Sequence, residues 1–128
     1  MNELVAFAHA LADATRCRIV QLVAGEALCV CELAGILHMP QSSVSSHIQV
    51  IRKAGLLESE RCEKWVYYRL SAKSRSVLAG LREHFADSLD SDATLARDAR
   101  RAVKRLAQRE KSCCPGPKAL AYAGSGRR

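Results

Sequence analysis

The chain has 128 residues, enough for one domain with a modest core, and 48% of them are hydrophobic, so a packed interior is expected. A formal net charge of +7 predicts a polyanionic partner, nucleic acid first. No apolar run is long enough to span a bilayer and MNELVAFAHALADATR carries no basic lead-in, so no membrane partner is expected and the reading is a cytoplasmic protein. In a reducing compartment, six cysteines then point to ligands or redox groups rather than a disulfide framework.

LVAFAHAL places Leu4, Phe7, Ala8 and Leu11 on one face of a first helix. Asp13 is placed to cap a second, ATRCRIVQLV, with Ile19, Leu22 and Val23 inward and Gly25 at its end. CVCELAGIL reads as a short third helix, with Leu33, Ile36 and Leu37 inward. After a turn at HMP, Pro40 suits a helix start, and QSSVSSHIQVIRKA runs to Gly55. Val44, Ile48 and Ile51 recur at i, i+4, i+7 and belong to the core. LLESER and KWVYYRL flank CE and read as a β-hairpin. SAKSRSVLAGLREHFADSL is a helix with Val77, Leu78, Leu81, Phe85 and Leu89 inward. DSD breaks it, and ATLARDARRAVKRLAQREK follows as a basic helix with Leu95, Val103 and Leu106 on its apolar side. These elements make up a domain over residues 1–111. Residues 112–128 are rich in Pro, Gly and Ser and read as a flexible tail containing Cys113 and Cys114.

A short helix, a turn, a polar-faced helix and then a hairpin is the order of a winged helix-turn-helix: mostly α, with a β-hairpin wing. The second helix of such a pair enters the major groove of double-stranded DNA. Its outer face must offer short hydrogen-bonding side chains for base edges and cations for phosphates. Gln41, Ser42, Ser43, Ser45, Ser46, His47, Gln49, Arg52 and Lys53 meet that need. A merely solvated face would favour better helix formers than Ser. At the hairpin tip Arg61 and Lys64 are placed to reach a phosphate or the minor groove. Trp65 and Tyr67 alternate with Tyr68, which suits packing rather than base stacking.

ALADATRCRIVQLV, ALCVCELAGIL, QSSVSSHIQVIRKAGLL and KWVYYRLS together resemble the ArsR/SmtB family of metalloregulatory repressors over about residues 4 to 71. LCVCEL and KWVYYRLS resemble the arsenic-responsive branch most. The resemblance implies a homodimer that holds an inverted-repeat operator and releases it when a metal binds. It also implies dimer contacts through the first helix and the helix after the hairpin. His38 stands where Gly is common, and Pro40 where a Ser cap is usual.

Soft thiolates prefer thiophilic ions, and trivalent arsenic or antimony takes three sulfurs in a pyramid. Cys29 and Cys31 are two residues apart, about 200° around a regular helix, so they converge on one ion only if the first turn unwinds. The pattern this chain resembles often has a third Cys where Ala34 stands. Cys113 and Cys114 are the candidates for the missing sulfur or for a second site. Cys62, at the wing tip, lies too close to DNA for that role, and Cys17 is expected in the core. Cadmium or lead is a competing inducer, but no cysteine precedes Cys17. Zinc would need paired Asp/His motifs, and only His84 and Asp87 are offered.

The sequence thus leads to an As(III)- or Sb(III)-responsive repressor with no organic cofactor. A thiol redox regulator is the alternative, expected to respond to peroxide without metal. An enzyme is not expected: Cys-Val-Cys and Cys-Cys-Pro do not match CxxC redox spacing, and no nucleophile–base set stands out.

Overall fold

The computed structural model describes residues 1–109 and 114–120. Its elements run α1 (Asn2–Leu11), α2 (Ala14–Gly25), β1 (Leu28–Cys29), α3 (Val30–Leu37), α4 (Gln41–Lys53), β2 (Leu57–Cys62), β3 (Trp65–Leu70), α5 (Ala72–His84), α6 (Ala86–Asp90) and α7 (Ala93–Ala107). Local chemistry sets most of the boundaries. Asp13 caps α2 by accepting from the Arg16 N–H at 3.0 Å, and Asp92 caps α7 through Leu95 N–H at 2.9 Å. His38 ends α3 in the left-handed region at φ 56, where glycine would sit without strain. Gly55 takes φ 85 after α4 and turns the chain into the wing. Pro40 precedes α4 and supplies no side-chain cap, but its carbonyl accepts from the Ser43 and Val44 amides.

The core lies where α2, α3 and α4 meet one face of a three-stranded antiparallel sheet ordered β1-β3-β2. Val44, Ile48 and Ile51 of α4 are buried there, as their spacing predicts, alongside Ile19, Leu33 and Tyr68. Alternation along β3 divides the sheet into two faces. Val66, Tyr68 and Leu70 point into this core, while Trp65 and Tyr67 line the opposite face. The α3–α4 pair followed by the hairpin makes the fold a winged helix-turn-helix, mostly helical with a β-hairpin wing. Among the described residues no helix is long and apolar enough to cross a membrane.

Four expectations need correction. β1 is additional to the elements that local patterning predicts: it is two residues long and takes its identity from pairing with Tyr67 and Tyr68. Cys29 therefore lies in extended backbone before α3, outside the helix. The helix after the hairpin breaks at Phe85, whose φ −104 and ψ 26 leave the helical region, giving α5 and α6. Phe85 does not point inward but is 51% exposed, and Leu4 and Val103, on the apolar sides of α1 and α7, are each 70% exposed. On α5 the buried stripe is Ser74 and Leu78, one turn apart, which swings Val77 outward.

Candidate thiol cluster and nucleic-acid interface

Cys29 stands at the point where β1 becomes α3. Its backbone N–H donates to Glu32 Oε1 at 3.2 Å, and the two residues form a reciprocal capping box in which a thiol replaces the usual hydroxyl. Glu32 is fully buried. Its carboxylate is clamped by Arg109, with Nε to Oε2 at 2.8 Å and Nη2 to Oε1 at 3.0 Å. The same Nη2 donates to Ala27 O at 2.6 Å. The guanidinium also lies over the Tyr67 ring, 5.4 Å from its centroid. Arg109 thus ties the chain just past α7 to the start of α3.

Beyond that clamp the chain returns to the sheet. Cys114 is buried, with its Sγ 3.6 Å from Cys29 Sγ. Two sulfurs held at about 2.3 Å from one ion, at a tetrahedral or narrower angle, stand roughly 3.4–3.8 Å apart, so this pair fits two corners of a thiolate site. Arg105 Nη2 lies 3.5 Å from Cys114 Sγ, and its Nη1 is buried with no hydrogen-bond partner among the described residues. A cation in that position favours thiolates. Burial opposes it and pushes the Cys29 thiol above its ordinary value, although the Glu32 backbone N–H pulls the other way.

Cys31 is half-buried in the first turn of α3. With Cys29 it lines a cleft of about 470 Å³ whose other walls include Gln41, Lys64, Trp65 and Tyr68. The cleft lies between the thiols, the start of α4 and the wing. Cys113 falls outside the described residues. Among those described, no group of three or more His, Cys, Asp or Glu side chains has a metal-ligand arrangement.

Cys62 differs from its expected place. It is buried at the end of β2, in the same cluster as Cys29, Tyr67 and Cys114, rather than displayed at the wing tip. Cys17 is only half-buried, and its thiol donates to Leu11 O at 2.9 Å. Residues 114–120 have the composition of a flexible tail, yet they lie against the sheet. Backbone amides that donate to Tyr67 Oη and Glu60, and Arg69 donating to Leu120 O, account for that position, and composition does not report them.

On the outer surface of α4, Gln41, Ser42, Ser46, Gln49, Arg52 and Lys53 are exposed. Ser46 donates back to Ser42 O, and Arg52 donates to Gln49 Oε1 through both Nε and Nη2. Ser43, Ser45 and His47 are half-buried, and His47 Nδ1 is 3.4 Å from Arg16 Nη1, so it serves a contact with α2. Arg61 and Lys64 are exposed on the hairpin, with Lys64 Nζ 5.1 Å from the Trp65 ring centroid. The turn between the strands places Glu63 at φ 58.

Residues 13–59 match the family described as bacterial regulatory protein, arsR family. The arsenic resistance transcriptional regulator ArsR1 of Pseudomonas putida is 49% identical over 61 residues, covering 47% of this chain and 48% of that protein. The arsenical resistance operon repressor of Escherichia coli K12 is 48% identical over 63 residues, covering 48% of this chain and 53% of that protein. The chain thus spans about half the length of these curated relatives. Among solved structures, the homodimeric winged helix-turn-helix DNA-binding domain of Mb0332 from Mycobacterium bovis superposes with TM-score 0.64 at 23% identity. It covers 71% of this chain and 85% of that one, a likeness of fold.

Proposed function

The chain belongs to the arsR family of bacterial regulatory proteins, and on that premise we propose that it is a transcriptional repressor released from operator DNA when trivalent arsenic or antimony is captured by its thiols. One observation carries the reading: Cys29, at the N-terminus of the first helix of the helix-turn-helix, has the Cys114 sulfur 3.6 Å away. Cys31 and Cys113 are proposed to share the site. Each bond from a thiol to As(OH)₃ would release one water, the thiol supplying the proton. A soft-ligand set of this kind suits a thiophilic ion better than a hard one. Gln41, Ser42, Ser46, Gln49, Arg52 and Lys53 are assigned to the major groove, with Ser43 and Ser45 at its margin and Arg61 and Lys64 of the wing on the flanking backbone.

The active form is proposed to be a homodimer joined through α1 and α5. Leu4 and Val77 flank an open groove of about 240 Å³, and apolar surface left uncovered in this way wants a partner. Leu4→Glu should shift sedimentation from dimer to monomer and weaken operator binding.

Fluorescence anisotropy on the chain's own upstream promoter DNA, titrated with arsenite, tests the reading. Wild type should be released, while Cys29→Ser and Cys31→Ser should bind DNA and stay bound. If Cys113→Ser/Cys114→Ser behaves as wild type, the C-terminal sulfurs are bystanders. The 3.6 Å separation also favours a second reading, oxidation of the Cys29–Cys114 pair. Release by peroxide, with no response to arsenite, would select it.

A further inference from the structure

We propose that Glu60, on wing strand β2, is a positioning residue for the thiol site: it fastens residues 118–120 to the wing and so sets Cys114 against Cys29. The inference rests on the reading of these thiols as inducer ligands and adds the wing to the sensor.

The register of the sheet carries it. Cys29 on β1 pairs with Tyr67 on β3, and Tyr67 pairs with Glu60 on β2. Directly paired residues share a face, so these three side chains form one row across the sheet. The C-terminal segment crosses that row in order. Cys114 lies at Cys29. The Gly116 N–H donates to Tyr67 Oη at 2.7 Å. The amides of Lys118, Ala119 and Leu120 all converge on Glu60, at 2.9, 2.8 and 2.8 Å. The distances match this path: β1 and β2 are two strand spacings apart, about 10 Å, and four residues of extended chain reach about 13 Å.

Three consecutive N–H groups on one carboxylate form an anion nest, and bonds to an ionised acceptor are the strong ones. The Lys118 amide, first among the three, holds the Glu60 carboxyl below its usual range. Arg69 completes the fastening, donating from Nη1 to Leu120 O at 2.9 Å while its Nη2 is fixed by Glu58 at 2.6 Å. Gly116 permits the turn at φ 94; a Cβ there would stand 3.2 Å from Arg109 Cδ. A shift of Cys114 therefore pulls on β2, one residue from Arg61.

The test uses metal-free full-length chain and follows alkylation of each cysteine by iodoacetamide with peptide mass spectrometry. Glu60→Ala should speed Cys114 alkylation by about tenfold or more, as expected for loss of three charge-assisted bonds at a partly exposed carboxylate. Glu60→Gln, which keeps one acceptor oxygen, should fall between the two. Lys118→Ala keeps its backbone donor and should match wild type. Cys17, which lies away from the wing, should react alike in all of them, excluding general loosening. Arsenite affinity should weaken in Glu60→Ala in parallel with the exposure of Cys114. Equal Cys114 rates in wild type and Glu60→Ala would overturn the proposal, as would a wild-type Cys114 that reacts as fast as in the urea-unfolded chain. If wild type ignores arsenite, the inducer reading fails, and the alkylation rates still decide the role of Glu60.

Discussion

Replacing Arg109 with leucine isolates the contact that joins the end of α7 to the start of the helix-turn-helix. Wild type holds the fully buried Glu32 carboxylate with two guanidinium bonds, at 2.8 and 3.0 Å, and a third bond from Arg109 satisfies Ala27 O. Arg109→Leu leaves that carboxylate with the Cys29 N–H and removes the Ala27 partner. Removing one member of a buried pair costs about 3–5 kcal/mol. The Arg109 side chain is 17% exposed, so some water can reach the orphaned charge, and the lower end, about 3 kcal/mol, is expected. Against a total stability of roughly 5–15 kcal/mol this is a large fraction. Urea unfolding followed by circular dichroism should show a lower midpoint at unchanged slope. Adding Glu32→Gln removes the stranded charge and should restore part of the loss. A loss below about 1 kcal/mol in Arg109→Leu would refute the argument that burial makes this pair costly to break.

Burial pushes the Tyr67 phenol from 10 to about 12, against the pull of the Gly116 N–H. The fold then favours the neutral phenol, so this contribution is complete below about pH 10 and disappears as pH rises through about 12. Tyrosinate absorbance should show one of the three tyrosines titrating late, and Tyr67→Phe should remove that phase. His38→Gly should stabilise the chain by about 0.5–1 kcal/mol by relieving a left-handed residue; a lower thermal midpoint would count against that account. Asp98 is buried and accepts from Arg18 at 2.8 and 2.9 Å, bridging α2 and α7. Asp98→Asn should cost about 2 kcal/mol or more in chemical denaturation, and no loss would mean that the two helices are held by apolar contacts alone.

Features with a local cause were legible in the sequence. Asp13 stands before an apolar period and caps α2; Val44, Ile48 and Ile51 bury one helix face. What escaped depends on residues far apart. Arg18 meets Asp98 across 80 positions and Arg109 meets Glu32 across 77, and neither pair leaves a local signature. Cys114 is a candidate ligand by its thiol alone, and nothing local places it beside Cys29, 85 residues away. Residues 114–120 have the composition of a loose tail, because the bonds that seat them come from side chains on the wing. One local signal was available: Glu32 lies three residues after Cys29, which is capping-box spacing. A cysteine at the cap does not suggest it, since the usual cap is a hydroxyl or carboxamide.

On the proposed reading, that unusual cap has a consequence. The Cys29 sulfur faces the Glu32 backbone N–H at the start of α3, and the same sulfur would have to hold the ion. Its capture would compete with capping. Loss of a cap costs about 0.5–2 kcal/mol, whereas driving a two-state switch from 1:99 to 99:1 takes about 5.5. Fraying the first turn of α3 therefore cannot by itself release DNA efficiently. The remainder needs a second lever, and the chain offers one through Cys114, Gly116 and Glu60 to the wing. Two routes then leave one site: one reaches the α3–α4 pair, the other the hairpin that carries Arg61 and Lys64. Cutting only the wing route with Glu60→Ala should leave a partial response to saturating arsenite, while Cys29→Ser, at the head of both routes, should abolish it.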